Sequence, residues 1–118
     1  MARHNATGTT GETLAAAWLA DKGYVLLHSN WRHSYYEVDI IASNNNVLHF
    51  IEVKTRRSKK FGEPEESVDK KKITNLLKAG EAYQELYPQW KRVQYDVLSI
   101  YMPAGEEPSY FFIEDVYL

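Results

Sequence analysis

Apolar residues recur along this chain with two different periods. Between about Thr10 and Lys22, Leu14, Ala15, Trp18 and Leu19 form one stripe at helical spacing, and Gly23 is placed to end the helix. Residues 1–8 read as a loose lead-in. Tyr24–His28 reads as a strand, and Asn30–His33 leads from it into a hairpin. The two arms of that hairpin, Tyr36–Ala42 and Val47–Lys54, alternate polar with apolar residues and are rich in β-branched side chains. Ser43-Asn44-Asn45-Asn46 between them is a cluster of turn formers. A second helical stripe follows in Ile73, Leu76, Leu77, Gly80, Tyr83 and Tyr87, with Ser67 as a plausible N-cap and Pro88 as its end. Gly80 on that stripe predicts close packing against a sheet. Val93–Tyr101 is a strong strand, 103–108 a turn, and Tyr110–Ile113 the last strand.

The order helix, strand, strand, strand, helix, strand, strand predicts an α/β domain. A three-stranded antiparallel meander, a crossover helix and two further strands would form one mixed β-sheet flanked by helices. At 118 residues the chain is long enough for a real core and is expected to be a single domain, 1–118.

Strand parity then gathers the polar residues. Side chains alternate faces, so Glu37 and Asp39 share one face, as do Glu52 and Lys54. An even loop, either Ser43–Asn46 or Asn44-Asn45, would set Ala42 opposite Val47 and Glu37 opposite Glu52. Asp39 would then lie diagonal to Glu52 with roughly 7–8 Å between backbones. An odd loop would separate the two acids. Opposed carboxylates destabilise a sheet unless something neutralises them, and Lys54 alone leaves an excess of negative charge. Carboxylates with open water positions suit Mg²⁺. The plainer reading is that these residues form the solvated face of an antiparallel hairpin.

Other polar residues extend both readings. Glu12 either completes a capping box with Thr9-Thr10-Gly11 or adds a helix-borne acid to the cluster. Asp96, an isolated acid in an apolar strand, either pairs with a basic residue such as Arg92 or supports the site from behind. Arg56, Arg57, Lys59 and Lys60 leave the same strand end as Glu52 and Lys54, where they suit phosphate contacts. Lys70, Lys71 and Lys72 open the second helix, where cations oppose the helix dipole. A ligand role for at least one of them would explain that cost.

Composition narrows the classes. There are 14 Lys and Arg against 16 Asp and Glu, a formal charge of −2, so nucleic-acid binding would need a local basic patch. The absence of cysteine excludes disulfides and thiolate metal sites and is compatible with a cytoplasmic protein. Neither an apolar leader nor a membrane-spanning run is visible.

The pattern Asp39-x12-Glu52-x-Lys54 resembles the catalytic core of restriction-endonuclease-like nucleases. Over nearly the whole chain, a longer series resembles the YraN-like family of small bacterial proteins. That series is Gly11-Glu12 with Ala15 and Ala16, Gly23-Tyr24, Asn30-Trp31-Arg32, Glu37–Ala42, Phe50–Arg56, and Asp69 to Lys72. The resemblance implies a restriction-endonuclease-like fold and a kinship to Holliday-junction resolvases. It implies that Asp39 and Glu52 hold Mg²⁺ or Mn²⁺, that Glu12 assists, and that Lys54 steadies the attacking hydroxide or the transition state. Glu37 matches the family motif with a less defined role. Tyr36 departs from the glycine usual there, and would crowd a phosphate or contact it. The expected function is metal-dependent hydrolysis of phosphodiester bonds in DNA, branched DNA included. The alternative is a non-catalytic nucleic-acid-binding module. A homodimer would suit a two-strand substrate.

Overall fold

The computed structural model describes residues 6–58 and 69–116, with side chains from residue 10 onward. They form helix α1 (Ala6–Asp21), strands β1 (Val25–His33), β2 (Tyr36–Asn44) and β3 (Val47–Arg56), helix α2 (Lys70–Leu86), and strands β4 (Val93–Tyr101) and β5 (Ser109–Ile113). The strands make one sheet in chain order, β1 to β5. Neighbours are antiparallel except β3 and β4, which α2 joins as a parallel crossover. This is the expected mixed α/β arrangement.

The helices cover opposite faces. Ala15 and Leu19 of α1 pack with Ile40, Ala42, Ile51, Leu98 and Ile100. Ile73, Leu76, Ala79 and Tyr83 of α2 pack with Val38, Ile41, Leu48, Phe50, Tyr95 and Val97. The central pair β3 and β4 is therefore buried on both faces, as parallel strands usually are. Each fully buried large side chain there, Phe50 or Leu98 for example, contributes about 1.5–3 kcal/mol. Among the described residues, no helix is long and apolar enough to cross a membrane.

Several boundaries differ from the sequence reading. Helix α1 is already under way at Ala6, so Glu12 sits in its interior and the capping-box account of Glu12 does not hold. Residues 6–8, expected to be loose, belong to this helix. The helix ends as expected: Gly23 takes φ 94°, while Tyr24 N–H bonds Leu19 carbonyl (3.0 Å) and Gly23 N–H bonds Ala20 carbonyl (3.1 Å). Asn30–His33 is not a lead-in but the outer half of β1. The N-cap of α2 is Asp69, whose carboxylate accepts from the backbone N–H of Lys71 (2.8 Å) and Lys72 (3.4 Å). Ser67, the expected cap, lies outside the described residues, as do Lys59 and Lys60.

The β2–β3 hairpin has the predicted parity but a different register. Asn45 and Asn46 form a two-residue turn, both at positive φ (53° and 64°), with Asn44 paired to Val47. Asparagine tolerates that conformation better than most residues, and two in succession suit the twist of a tight hairpin. Ala42 consequently faces His49, not Val47, and Ile40 faces Ile51. The slip of two residues keeps the paired side chains, Ile40–Asn44 and Val47–Ile51, on their predicted faces. It also moves Asp39 from a diagonal position to one directly across from Glu52.

Candidate active site

Pairing between β2 and β3 stops at Ile40–Ile51, one residue short of the acids. The backbone is irregular at the same place. Asn30 of β1, opposite Asp39, has φ 53°, and the regular pairs flank this position at Ser29–Ile40 and Trp31–Val38. The alternation of β2 breaks at the same place: Val38 and Ile41, three residues apart, pack in the same α2-side core. Freed from the ladder, the Asp39 carboxylate accepts the Val53 N–H at 2.8 Å, standing in for a backbone acceptor on β2. The strands part here, and a cleft opens.

The cleft holds about 390 Å³ between the end of β3, the outer half of the β1–β2 hairpin and the first turns of α2. Asp39, Glu52, Lys54 and Lys72 line it, with Glu37, Tyr35, Tyr36 and Asn75 around them. The sequence-derived triad of Asp39, Glu52 and Lys54 is thus brought together, and Lys72 joins it from the opposite wall. Glu52 and Lys54 are ion-paired at 3.1 Å. Glu37 turns to Arg32 at 2.9 Å, so its charge is largely answered at the surface.

Asp39 is the under-compensated group. Its pKa rises from 3.8 to about 6 because burial penalises its charge and Glu12, Glu52 and Glu37 repel it, against which the Val53 hydrogen bond works. Glu12 bears on Asp39 electrostatically through the close approach of α1 to β3, but it does not line the cleft. That approach depends on Gly11, where a Cβ would collide with the Thr55 methyl of β3. On Lys54, burial works against the charge, but hydrogen bonds with Lys72 and Glu52 and the charges of Glu52 and Asp39 prevail and raise its pKa. Lys72 moves down, first through its hydrogen bond with Lys54, then through burial and repulsion from that same ammonium. Of the two, Lys54 is the one whose charged form the cleft favours.

Among the described residues, no three histidine, aspartate or glutamate side chains gather as a closed metal cage. What is present is a pair of carboxylates, one of them crowded by negative charge, at an open cleft. That donor set fits Mg²⁺ or Mn²⁺, which are held by one or two carboxylates and keep several waters.

Lys70 and Lys71 are exposed on the opening turn of α2, outside the cleft lining, and Arg56 and Arg57 stand at the end of β3. Asp96 pairs with neither Arg92 nor the cleft. Its basic partner is His49, through Nδ1 at 2.7 Å, and its other oxygen accepts from Gln94 Nε2 and the Asp115 N–H, both at 2.9 Å. Tyr35 and Asn75 were not anticipated. Tyr35 carried one signal: a large ring at a tight turn, where small polar residues or glycine are the rule.

With this geometry in hand, comparison with known proteins places the chain. A model of the uncharacterised protein family UPF0102 matches residues 11–100. The chain belongs to this family. It is the YraN-like family that the residue series resembles. Curated UPF0102 proteins share about two-fifths of their residues with it. The one from Bacteroides thetaiotaomicron is 41% identical over 100 residues, covering 85% of this chain and 83% of its own. That from Phocaeicola vulgatus is 42% identical over 110 residues, covering 93% and 88%. The Rhodococcus opacus protein is 39% identical over 118 residues, covering 99% and 100%. The matched span contains Glu12, Asp39, Glu52, Lys54, Lys72 and Asp96.

Proposed function

We propose that this UPF0102 protein is a Mg²⁺- or Mn²⁺-dependent nuclease that hydrolyses phosphodiester bonds in DNA. The observation that carries the reading is the state of Asp39: a half-buried carboxylate, repelled by three others, beside Glu52 and a protonated lysine. Such crowding costs the fold stability unless a cation relieves it, and perturbed groups of this kind cluster at functional sites.

Asp39 and Glu52 would hold the ion. A divalent ion there supplies charge stabilisation for a phosphoryl group and lowers the pKa of water. The chain's own residues do the rest. The Val53 N–H fixes the Asp39 carboxylate and Lys54 fixes that of Glu52, so neither needs to reorganise. Lys54, kept charged, is suited to stabilise the negative charge that builds up on the phosphate oxygens, not to act as a base. Lys72 faces it across the cleft from the opening turn of α2, so a phosphate between them would meet two amines and the positive end of a helix. Arg56, Arg57, Lys59, Lys60, Lys70 and Lys71 would track the flanking backbone.

The test is cleavage of linear, flapped and four-way DNA in Mg²⁺, Mn²⁺ and chelator, by wild type and by Glu52→Ala and Lys54→Met. Metal-dependent cutting that both substitutions abolish supports the reading. Binding without cutting in every metal contradicts it and favours a non-catalytic module.

A further inference from the structure

The rim of the cleft carries a feature that the nuclease reading does not use. At the tip of the β1–β2 hairpin, His33 pairs with Tyr36 across a two-residue turn, Ser34-Tyr35. Ser34 holds φ 58°, a conformation that glycine or asparagine would adopt more cheaply, and Tyr35 follows it with 97% of its surface exposed. Neither residue is what the turn asks for. The ring gains no burial, so the fold gives no reason for an aromatic there.

The arm that displays this ring is braced. Trp31 packs edge-on against Tyr83 of α2 (5.3 Å between centroids), and His33 stacks on Trp31 at 5.8 Å with 13° between planes. Tyr36 packs against the α2-side core. The hairpin tip is thereby held beside Asp39, Glu52, Lys54 and Lys72, and both Tyr35 and Tyr36 line the same cleft.

We propose that Tyr35 is a stacking platform for an unpaired nucleobase next to the phosphate bound in the cleft. This inference rests on the nuclease reading of that cleft and names its substrate class: DNA with an unpaired nucleotide at the bound phosphate, as in a gap, a flap or a junction. In continuous duplex both faces of every base are covered by neighbours, so a ring at the rim has nothing to stack on. An unpaired base offers a free face, and aromatic side chains take it without regard to sequence. The charges beside the platform are of the right kind, because Lys54 and Lys72 would hold the adjoining phosphate while the ring takes the base.

The experiment uses duplex DNA with a single unpaired 2-aminopurine in a gap, and the same sequence fully paired. Binding is read in Ca²⁺, which fills carboxylate sites with looser geometry than Mg²⁺, for wild type, Tyr35→Phe and Tyr35→Ala. Wild type and Tyr35→Phe should prefer the gapped DNA and change 2-aminopurine fluorescence on binding. Tyr35→Ala should lose about 5- to 150-fold in affinity for gapped DNA, the range expected for one stacked base, and keep the wild-type affinity for paired DNA. Since Tyr35 is so exposed, both variants should fold. The proposal is overturned if Tyr35→Ala binds gapped DNA like wild type, if it loses affinity for both DNAs alike, or if wild type binds neither. The first of these would assign the ring to another kind of partner. A protein that shows the Tyr35-dependent preference but never cuts in Mg²⁺ or Mn²⁺ keeps the platform and loses the nuclease, so the two failures are told apart.

Discussion

Two strand-borne aspartates sit in the same sheet under opposite conditions. Asp96 is fully buried and its carboxylate receives three donors, from His49, Gln94 and the Asp115 backbone. Asp39 is open to the cleft, accepts the Val53 N–H and has its charge disfavoured by burial and by three other carboxylates. A buried carboxylate with its lone pairs answered ties strands together, here β3, β4 and the segment after β5. A carboxylate left crowded has no such structural return and invites a cation. Burial alone would have ranked Asp96 as the functional residue; counting its partners reverses that order.

Substitutions at the two positions should therefore act in opposite directions. Asp96→Ala leaves the buried His49 Nδ1 without its acceptor and removes one acceptor each from Gln94 Nε2 and the Asp115 N–H. It should cost on the order of 3–5 kcal/mol, a large share of the stability of a domain this size. Urea unfolding checks it, and a loss under about 1 kcal/mol would mean the network is not structural.

Asp39→Asn should stabilise the metal-free protein. Asparagine keeps an acceptor for the Val53 N–H and removes the repelled charge. The sign follows from linkage: the folded-state pKa of about 6 lies above the ordinary 3.8, so the folded state binds more protons between those values and wild-type stability falls as pH rises through them. The penalty is fully present above about pH 6 and vanishes below the unfolded value. The rise corresponds to on the order of 3 kcal/mol as an upper figure. Thermal unfolding at pH 8 should show a clear gain for Asp39→Asn over wild type, and at pH 4 little or none. A gain of equal size at both pH values would contradict the electrostatic account.

The smallest effect belongs to Arg32→Ala. The Arg32–Glu37 pair is exposed, so stability should change by less than about 1 kcal/mol. The released Glu37 charge should nonetheless raise divalent-ion affinity slightly at low salt, with the difference fading as salt is added.

Much of this arrangement could be read from residue order. Period-two runs and the parity of an even loop were enough to put Asp39 and Glu52 together, because a slip of two residues preserves faces. The register itself was hidden. Asn44, Asn45 and Asn46 are equally suited to positive φ, and nothing local says which two form the turn. The positive φ at Asn30 was equally silent, since that residue lies inside an ordinary strand run, yet it falls opposite Asp39. The His49–Asp96 pair depends on the offset between two parallel strands, which the crossover through α2 sets and no local pattern records. Lys72 could be named only as one of three lysines; the turn of α2 after the Asp69 cap decides which of them faces Lys54.

The proposed nuclease requires a divalent metal ion in the cleft between β2, β3 and α2, held by Asp39 and Glu52. Calorimetric titration of Mn²⁺ into wild type and Glu52→Ala, at one pH near 7.5 with a chelated control, tests it most directly. Saturable binding by wild type alone is the predicted result. Equal binding by both proteins, or binding by neither with or without added DNA, would contradict it.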